Sequence, residues 1–154
     1  MHSILKVVLV VFFSLLISVQ SEETKAAGTD TFPTILVAPC KSKLSFAEAS
    51  LIVSVLNHES GAFRGDYIIK INPFTFKNDE GRLDLKISDA DARKMTRGLA
   101  VEFSGKAISN KGNKQQGVKG RTDPKTASSG NVSFVVTTAD RQIVFNTTYK
   151  LVNN

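Results

Sequence analysis

Apolar and polar residues alternate along most of this chain, with the period of two that is typical of β-strands. The alternation is clearest within residues 65–87. Over the last six of these residues, 82–87, charged and apolar side chains alternate at every position. The apolar positions are Leu83, Leu85 and Ile87, and the charged positions beside them are Arg82, Asp84 and Lys86. Such a strand packs one face on a core and exposes the other, which is common in antiparallel sheets.

The first half of the same segment predicts the partner strand of a hairpin. Its apolar residues are Tyr67, Ile69 and Ile71, followed on the opposite parity by Phe74 and Phe76. We interpret the intervening Pro73 as a bulge or an edge position, because proline has no N–H to donate and a change of parity needs one extra residue. Residues 78–81, Asn-Asp-Glu-Gly, predict a type I turn that ends in a left-handed glycine.

Two segments before this hairpin also carry strand signals. Residues 32–37 form a short apolar run opened by Pro33, which predicts a first or edge strand. Residues 45–56 are ambiguous, because Ser45 and Glu48 have the spacing of a helical capping box, whereas the run from Leu51 to Leu56 is rich in β-branched residues. We favour a strand there.

After the hairpin, the sequence predicts a short helix and then more strands. Ser88 can cap the helix, and Gly98 can end it. The strand alternation returns from Leu99 to Ile108, and we expect it to end near Asn110. Residues 134–151 predict a second hairpin, with its turn at residues 138–141.

Residues 111–130 are almost entirely polar, with Val118 as their only aliphatic residue larger than alanine, and they predict a long loop or an extended, weakly paired segment. About seven strands and one or two short helices indicate a mainly β fold, an antiparallel β-sandwich or open barrel. Its expected core consists of Phe74, Phe76, Leu83, Leu85, Phe103, Phe134, Phe145 and Tyr149.

The first 21 residues have the pattern of a secretory signal peptide. Lys6 is followed by an apolar run of 13 residues, Val7 to Val19, and small residues precede a cleavage point after Ser21. We therefore expect a secreted or periplasmic protein with no transmembrane anchor after cleavage. Residues 22–31 predict a disordered leader, and residues 32–154 a single β-rich domain.

Residues that carry catalytic or metal chemistry are scarce. Cys40 is the only cysteine, and His58 is the only histidine after the predicted signal peptide. This pair cannot supply a four-ligand zinc site, and we expect no cofactor. Asp79, Glu80 and Asp84 lie close together in the sequence, but turn chemistry accounts for them and no calcium-loop spacing is present. A Cys40–His58 dyad stays open as a hypothesis, while enzymatic activity is the less favoured class.

Two short motifs have ordinary structural interpretations. Arg64-Gly65-Asp66 matches a cell-adhesion tripeptide, but we interpret Gly65 as a glycine at a tight strand approach. Asn131 and Asn146 begin glycosylation sequons, and both fall at or within predicted strands.

Charge is unevenly distributed along the chain. Without the predicted signal peptide, 19 basic and 14 acidic residues give a net charge of +5, and residues 106–125 alone also have a net charge of +5. The basic residues of this segment are Lys106, Lys111, Lys114, Lys119, Arg121 and Lys125. We predict a basic, anion-binding loop on an otherwise balanced body.

This charge concentration favours an exported, non-catalytic domain that binds an anionic polymer, a membrane surface or an envelope protein. Nucleic acid is a less favoured partner, because no aromatic residue lies between Phe103 and Phe134 to stack on bases. The alternatives are a carrier of an apolar small molecule or lipid, suggested by the parity change at Phe74 and Phe76, and an enzyme of unrecognised type.

Overall fold

The computed structural model of the chain describes residues 31–153, which belong to one compact unit, Thr31–Asn154. The signal peptide predicted for residues 1–21 lies outside the described residues, as does the leader predicted for residues 22–31 except for its last residue, Thr31.

Ten strands, one α-helix and one short 3₁₀ helix form this unit. The strands are β1 Thr34–Val37, β2 Cys40–Leu44, β3 Ala47–Val53, β4 Asn57–Glu59, β5 Ala62–Asn72, β6 Asp79–Lys86, β7 Glu102–Ser109, β8 Gln115–Pro124, β9 Ser129–Thr137 and β10 Gln142–Val152; the 3₁₀ helix is Thr75–Lys77, and the helix α1 is Asp89–Thr96. The mainly β prediction is confirmed, although the strands are more numerous than the seven expected.

All strand pairs are antiparallel and belong to one sheet in the order β1-β10-β9-β8-β7-β6-β5-β3-β2, with β4 paired to β5. From β5 to β10, each strand pairs with the next one along the chain. The sheet curls, because Ile35 of β1 exchanges two hydrogen bonds with Leu56, which follows β3, at N···O distances of 2.9 and 3.0 Å. The result is an open barrel.

The inward-facing side chains of the strands form one continuous core. The rings of Phe103 and Phe134 meet edge to face within it, with centroids 5.6 Å apart. Ala92 and Met95 of α1 join the same core, so the helix packs its apolar face over the interior. Six of the eight predicted core residues are buried: Leu83, Leu85, Phe103, Phe134, Phe145 and Tyr149. The prediction is wrong for Phe74 and Phe76, which are 38% and 77% exposed.

The connection between β5 and β6 explains that error. Residues 73–78, which include the 3₁₀ helix, link the two strands, so Phe74 and Phe76 belong to no strand and the predicted parity change has no structural counterpart. The turn predicted at residues 78–81 is also misplaced, because Asp79 already pairs with Ile69 as the first residue of β6. Pro73 lies just after the end of β5, rather than at a bulge within it.

Of the two alternatives for residues 111–130, the long loop is wrong: most of the segment is extended, and it is regularly rather than weakly paired. Only residues 110–114 and 125–128 are connections, and β8 lies between them, paired along its length with β7 and β9. The strand interpretation of residues 45–56 is confirmed by β3, and the predicted first strand corresponds to β1 at the edge of the sheet.

The predicted short helix is confirmed, with Ser88 as its N-cap and Gly98 just after its last turn. The Ser88 side chain accepts a hydrogen bond from the Asp91 N–H at 3.1 Å, and Gly98 follows the helix with a φ of +70°.

The two ends of the barrel differ in their connections. At the end that we call the turn end, residues 45–46, 73–78, 110–114 and 138–141 join successive strands. At the opposite end, the helix end, α1 joins β6 to β7, and residues 125–128 join β8 to β9.

Candidate anion-binding face

The structure places the six predicted anion-binding residues on and around the β7–β8 hairpin rather than in a loop. Lys106 lies on β7, while Lys119 and Arg121 lie on the outward face of β8. Lys111 and Lys114 lie in the turn between the two strands, and Lys125 follows β8 directly. All six side chains are exposed, and the hairpin brings together only the three that point outward from its strands.

Strand register surrounds Ser104 with three lysines on this outer face. Ser104 is opposite Lys86 of β6 on one side and opposite Lys119 of β8 on the other, and Lys106 is two residues further along β7. Since neighbouring strands lie about 4.8 Å apart, the Cα atoms of Lys86 and Lys119 are separated by roughly 10 Å. We call Lys86, Ser104, Lys106, Lys119 and Arg121 the basic face.

Lys86 was missed because it lies outside the charge-rich segment of the sequence. The signal that could have found it is the outward parity of β6, on which Arg82, Asp84 and Lys86 alternate with buried leucines. Pairing β6 with β7 then brings Lys86 beside Ser104.

Acidic neighbours neutralise part of this surface. Arg121 Nη1 lies 3.8 Å from Glu102 Oε1, and Lys125 Nζ lies 2.9 Å from Asp123 Oδ2. The hydrogen bond from Lys125 and its charge lower the pKa of Asp123. Because both pairs are exposed, each contributes little to stability and can open when another anion approaches.

Asp84 of β6 is a further acid beside the basic face, and its partner is Arg64 of β5, on the side away from β7. It lies in register with both Arg64 and Lys106, and it accepts a hydrogen bond from Arg64 Nε at 3.0 Å. Lys106 instead donates to the neutral side chain of Gln115 at 2.9 Å. Within residues 31–153, Lys86 and Lys119 have no side-chain hydrogen bond or ion pair. The basic face therefore contains ammonium groups that can bind an external anion.

A buried polar cluster fixes the β7–β8 turn beside this face. Asp79 accepts hydrogen bonds from the Tyr67 hydroxyl at 2.8 Å and from Ser109. Ser109 in turn accepts the Lys111 N–H at 3.0 Å, and Lys111 Nζ donates to the Asn78 carbonyl at 2.6 Å. Burial and the neighbouring Asp79 raise the pKa of Tyr67 well above its ordinary value. Lys111 is thus held by the turn.

A polar groove of about 720 Å³ lies beyond Asp84 on the outer surface, and the Arg64-Gly65-Asp66 tripeptide lines it. The tripeptide lies within β5, and Arg64 also pairs with Glu59 at 3.1 Å. A Cβ atom at Gly65 would lie 2.8 Å from both Ser54 Oγ and the Val55 carbonyl oxygen. The interpretation of Gly65 as a glycine at a tight strand approach is confirmed.

Cys40 and His58 do not form a dyad. His58 packs between Phe32 and Phe63, with ring centroids 4.2 and 5.1 Å away, and its Nε2 lies 3.1 Å from Asp89 without hydrogen-bond geometry. Burial raises the pKa of the half-buried Cys40 thiol, and a hydrogen bond with Thr147 opposes that rise. No hydrogen bond joins the two residues in the described part of the chain, which also contains no group of three or more metal-ligating side chains.

Comparisons with protein-family models, with curated proteins and with solved structures find no match to this chain. Among the described residues, no helix has the length and apolar character needed to cross a bilayer. The function must therefore be inferred from the site itself.

Proposed function

We propose that this protein is an exported, non-catalytic binding module that holds an anionic polymer, such as an acidic envelope polysaccharide, against the basic face. The main observation in support is the grouping of Lys86, Lys106 and Lys119 around Ser104. Two of these amines, those of Lys86 and Lys119, have no side-chain partner among residues 31–153. Charge-assisted hydrogen bonds from ammonium groups to carboxylate or sulfate oxygens suit such a surface.

The shape of the surface favours an extended ligand over a compact one. Alternate residues of a strand lie about 6.6 Å apart, so Lys119 and Arg121 present cations at that interval along β8. Lys86 and Lys106 widen the row across two further strands. A chain molecule with repeated anionic groups can contact several of these cations at once.

Binding of this kind should be weak and sensitive to salt. A basic residue close to an anionic surface contributes about 1 kcal/mol of binding free energy. Lys86, Lys106, Lys119 and Arg121 together therefore give roughly 4 kcal/mol, which corresponds to a Kd near 1 mM when all four contact the polymer. At about 0.15 M ionic strength, exposed charges are screened beyond ~8 Å, and more salt shortens that reach.

The test compares two triple variants on a heparin column in a salt gradient. Lys86→Gln, Lys106→Gln and Lys119→Gln together remove the cations around Ser104, whereas Lys43→Gln, Lys70→Gln and Lys150→Gln remove three exposed lysines from other strands. Both variants lose the same net charge. We expect the first to elute at clearly lower salt than the native protein and the second to elute close to it. Equal shifts would show that only net charge matters and would contradict the proposal.

The carrier alternative stays a prediction. Phe74 and Phe76, which suggested it, lie at the surface, and the polar groove of about 720 Å³ beside β5 is open to solvent.

A further inference from the structure

Three phenylalanines project from the turn end of the barrel. Phe46, in the β2–β3 turn, is 88% exposed, and Phe76 and Phe74, in the β5–β6 connection, are 77% and 38% exposed. The two connections are neighbours, because Glu48 of β3 lies in register with Asn72 of β5. Aromatic side chains exposed together at one end indicate an interaction surface rather than isolated apolar residues.

The β5–β6 connection holds its two phenylalanines in a defined arrangement. Their rings meet edge to face with centroids 6.1 Å apart. Backbone hydrogen bonds join Thr75 to Pro73, Lys77 to Phe74 and Asn78 to Thr75 at 2.9 to 3.0 Å, and the Asn78 side chain accepts the Ile71 N–H at 2.7 Å. The aromatic side chains therefore project from an ordered turn.

Basic residues accompany the phenylalanines. The four connections of the turn end contain Lys77, Lys111, Lys114 and Arg141 against Asp140 alone, a net charge of +3.

Two of the three acids at the adjoining strand ends are engaged within the protein. Glu48 pairs with Lys41 at 2.6 Å, and Asp79 is turned inward to Tyr67 and Ser109. Glu80 is the exposed acid that remains at the start of β6.

We infer that the turn end docks on the surface of an anionic lipid bilayer, with Phe46, Phe74 and Phe76 entering the headgroup region and the surrounding cations contacting lipid phosphates and carboxylates. Aromatic rings bury apolar area at this boundary, while lysine and arginine gain attraction from anionic lipids. This surface is separate from the basic face: it uses the connections between strands, whereas the basic face uses the outward side chains of β6, β7 and β8.

The absence of tryptophan from the whole sequence permits a direct test of insertion. Phe46→Trp places a single fluorescent probe at the turn end, and Leu99→Trp places one at a half-exposed position of the helix end. With vesicles of phosphatidylcholine and phosphatidylserine, we expect a blue shift and quenching by brominated lipid for the probe at position 46 but not for the probe at position 99. No change at position 46, or equal changes at both positions, would overturn the inference.

Co-sedimentation with the same vesicles tests the two parts of the surface. Phe46→Ser with Phe76→Ser should weaken binding about tenfold or more, since two large apolar groups no longer enter the bilayer. Val55→Ser with Leu99→Ser, at exposed apolar positions of the helix end, should leave binding unchanged. Lys77→Gln with Lys114→Gln and Arg141→Gln should reduce the preference for phosphatidylserine over phosphatidylcholine alone.

Two outcomes separate this inference from the proposed polymer binding. The Phe46→Ser and Phe76→Ser variant should elute from heparin as the native protein does, because the basic face is intact. If that variant still binds vesicles at native strength, attraction by charge alone suffices and aromatic docking is refuted, as it is if the native protein binds no vesicles.

Discussion

At the scale of single residues, the packing of the barrel includes close approaches that only a glycine permits, and one of them is at Gly120. It lies on the inward side of β8, and a Cβ atom there would lie 2.2 Å from Cζ of Phe103. The aromatic ring thus occupies the space that a side chain on β8 would need. A larger residue at position 120 must displace Phe103, which packs against Phe134.

We predict that Gly120→Ala lowers the free energy of unfolding by about 1–3 kcal/mol, because overpacking shifts a buried ring. Gly117→Ala is the matched control on the same strand, since nothing lies within 4 Å of a Cβ atom built there. Urea unfolding curves should show a lower midpoint for the first variant and a native-like midpoint for the second. Similar midpoints for the two would mean that Phe103 is free to move.

The two tyrosines give a second prediction at this scale. Both are buried, and burial raises the pKa of Tyr67 and of Tyr149 above that of a free phenol, with Asp79 adding to the rise at Tyr67. The phenols therefore stay neutral in the folded protein at a pH where they ionise in the unfolded chain. Their contribution to stability is complete below pH ~10 and is lost as pH rises through the higher folded pKa values.

Ultraviolet absorbance should accordingly show little tyrosinate in the folded protein at pH ~10 and clear ionisation once urea has unfolded it. Tyr67→Phe should weaken the loss of stability above pH ~10. The prediction fails if both tyrosines of the folded protein titrate near pH ~10, as free phenols do.

At the scale of elements, α1 is the helix whose N-terminal cap is formed entirely by residues close together in the sequence. Ser88 Oγ accepts the Asp91 N–H and donates to the Asp91 carboxylate at 2.9 Å. We predict that Ser88→Ala lowers stability by about 1 kcal/mol, the usual effect of losing a helix cap. Ser128→Ala, at an exposed position between β8 and β9, should have almost no effect in the same denaturation experiment.

The elements that could be predicted from the sequence are those whose own residues contain the signal. The alternation in β6, β7, β9 and β10 and the cap of α1 are local, so pattern alone was sufficient for them. β8 was not recognised as a regular strand because its inward positions are Val118, Gly120 and Thr122. Gly120 accommodates the Phe103 ring, and Thr122 bonds through its hydroxyl to the Val101 backbone at 2.9 Å. β8 forms because β7 and β9 pair with it on both sides, and the pattern of a single sequence does not show which strands pair.

The β5–β6 connection was misread for a related reason. Phe74 and Phe76 have the spacing of a strand face, and their exposure follows from the 3₁₀ turn that begins after Pro73. The candidate site was also predicted only in part. The charge of residues 106–125 was visible in the sequence, but the division into an outward face and a turn, and the contribution of Lys86, required the strand register.

At the scale of the whole molecule, we propose export with removal of the first 21 residues. Intact-mass measurement of the protein recovered outside the cell should give a chain that begins at Glu22. A product that retains Val7 to Val19 and fractionates with membranes would contradict cleavage.

The pairing of β1 with β10 has a consequence for the order of folding. Strands β5 to β10 each find a partner next to them in the sequence, whereas Thr34 pairs with Val152 across nearly the whole chain. Closing that loop costs entropy before any contact is gained, so β1 should join the sheet after the rate-limiting step. Changes in β1 such as Ile35→Val should accelerate unfolding while leaving the refolding rate almost unchanged, whereas Val136→Ala in β9 should slow refolding. Until β1 pairs with it, β10 is an open edge of the sheet, and this is the stage at which the protein is most exposed to misassociation.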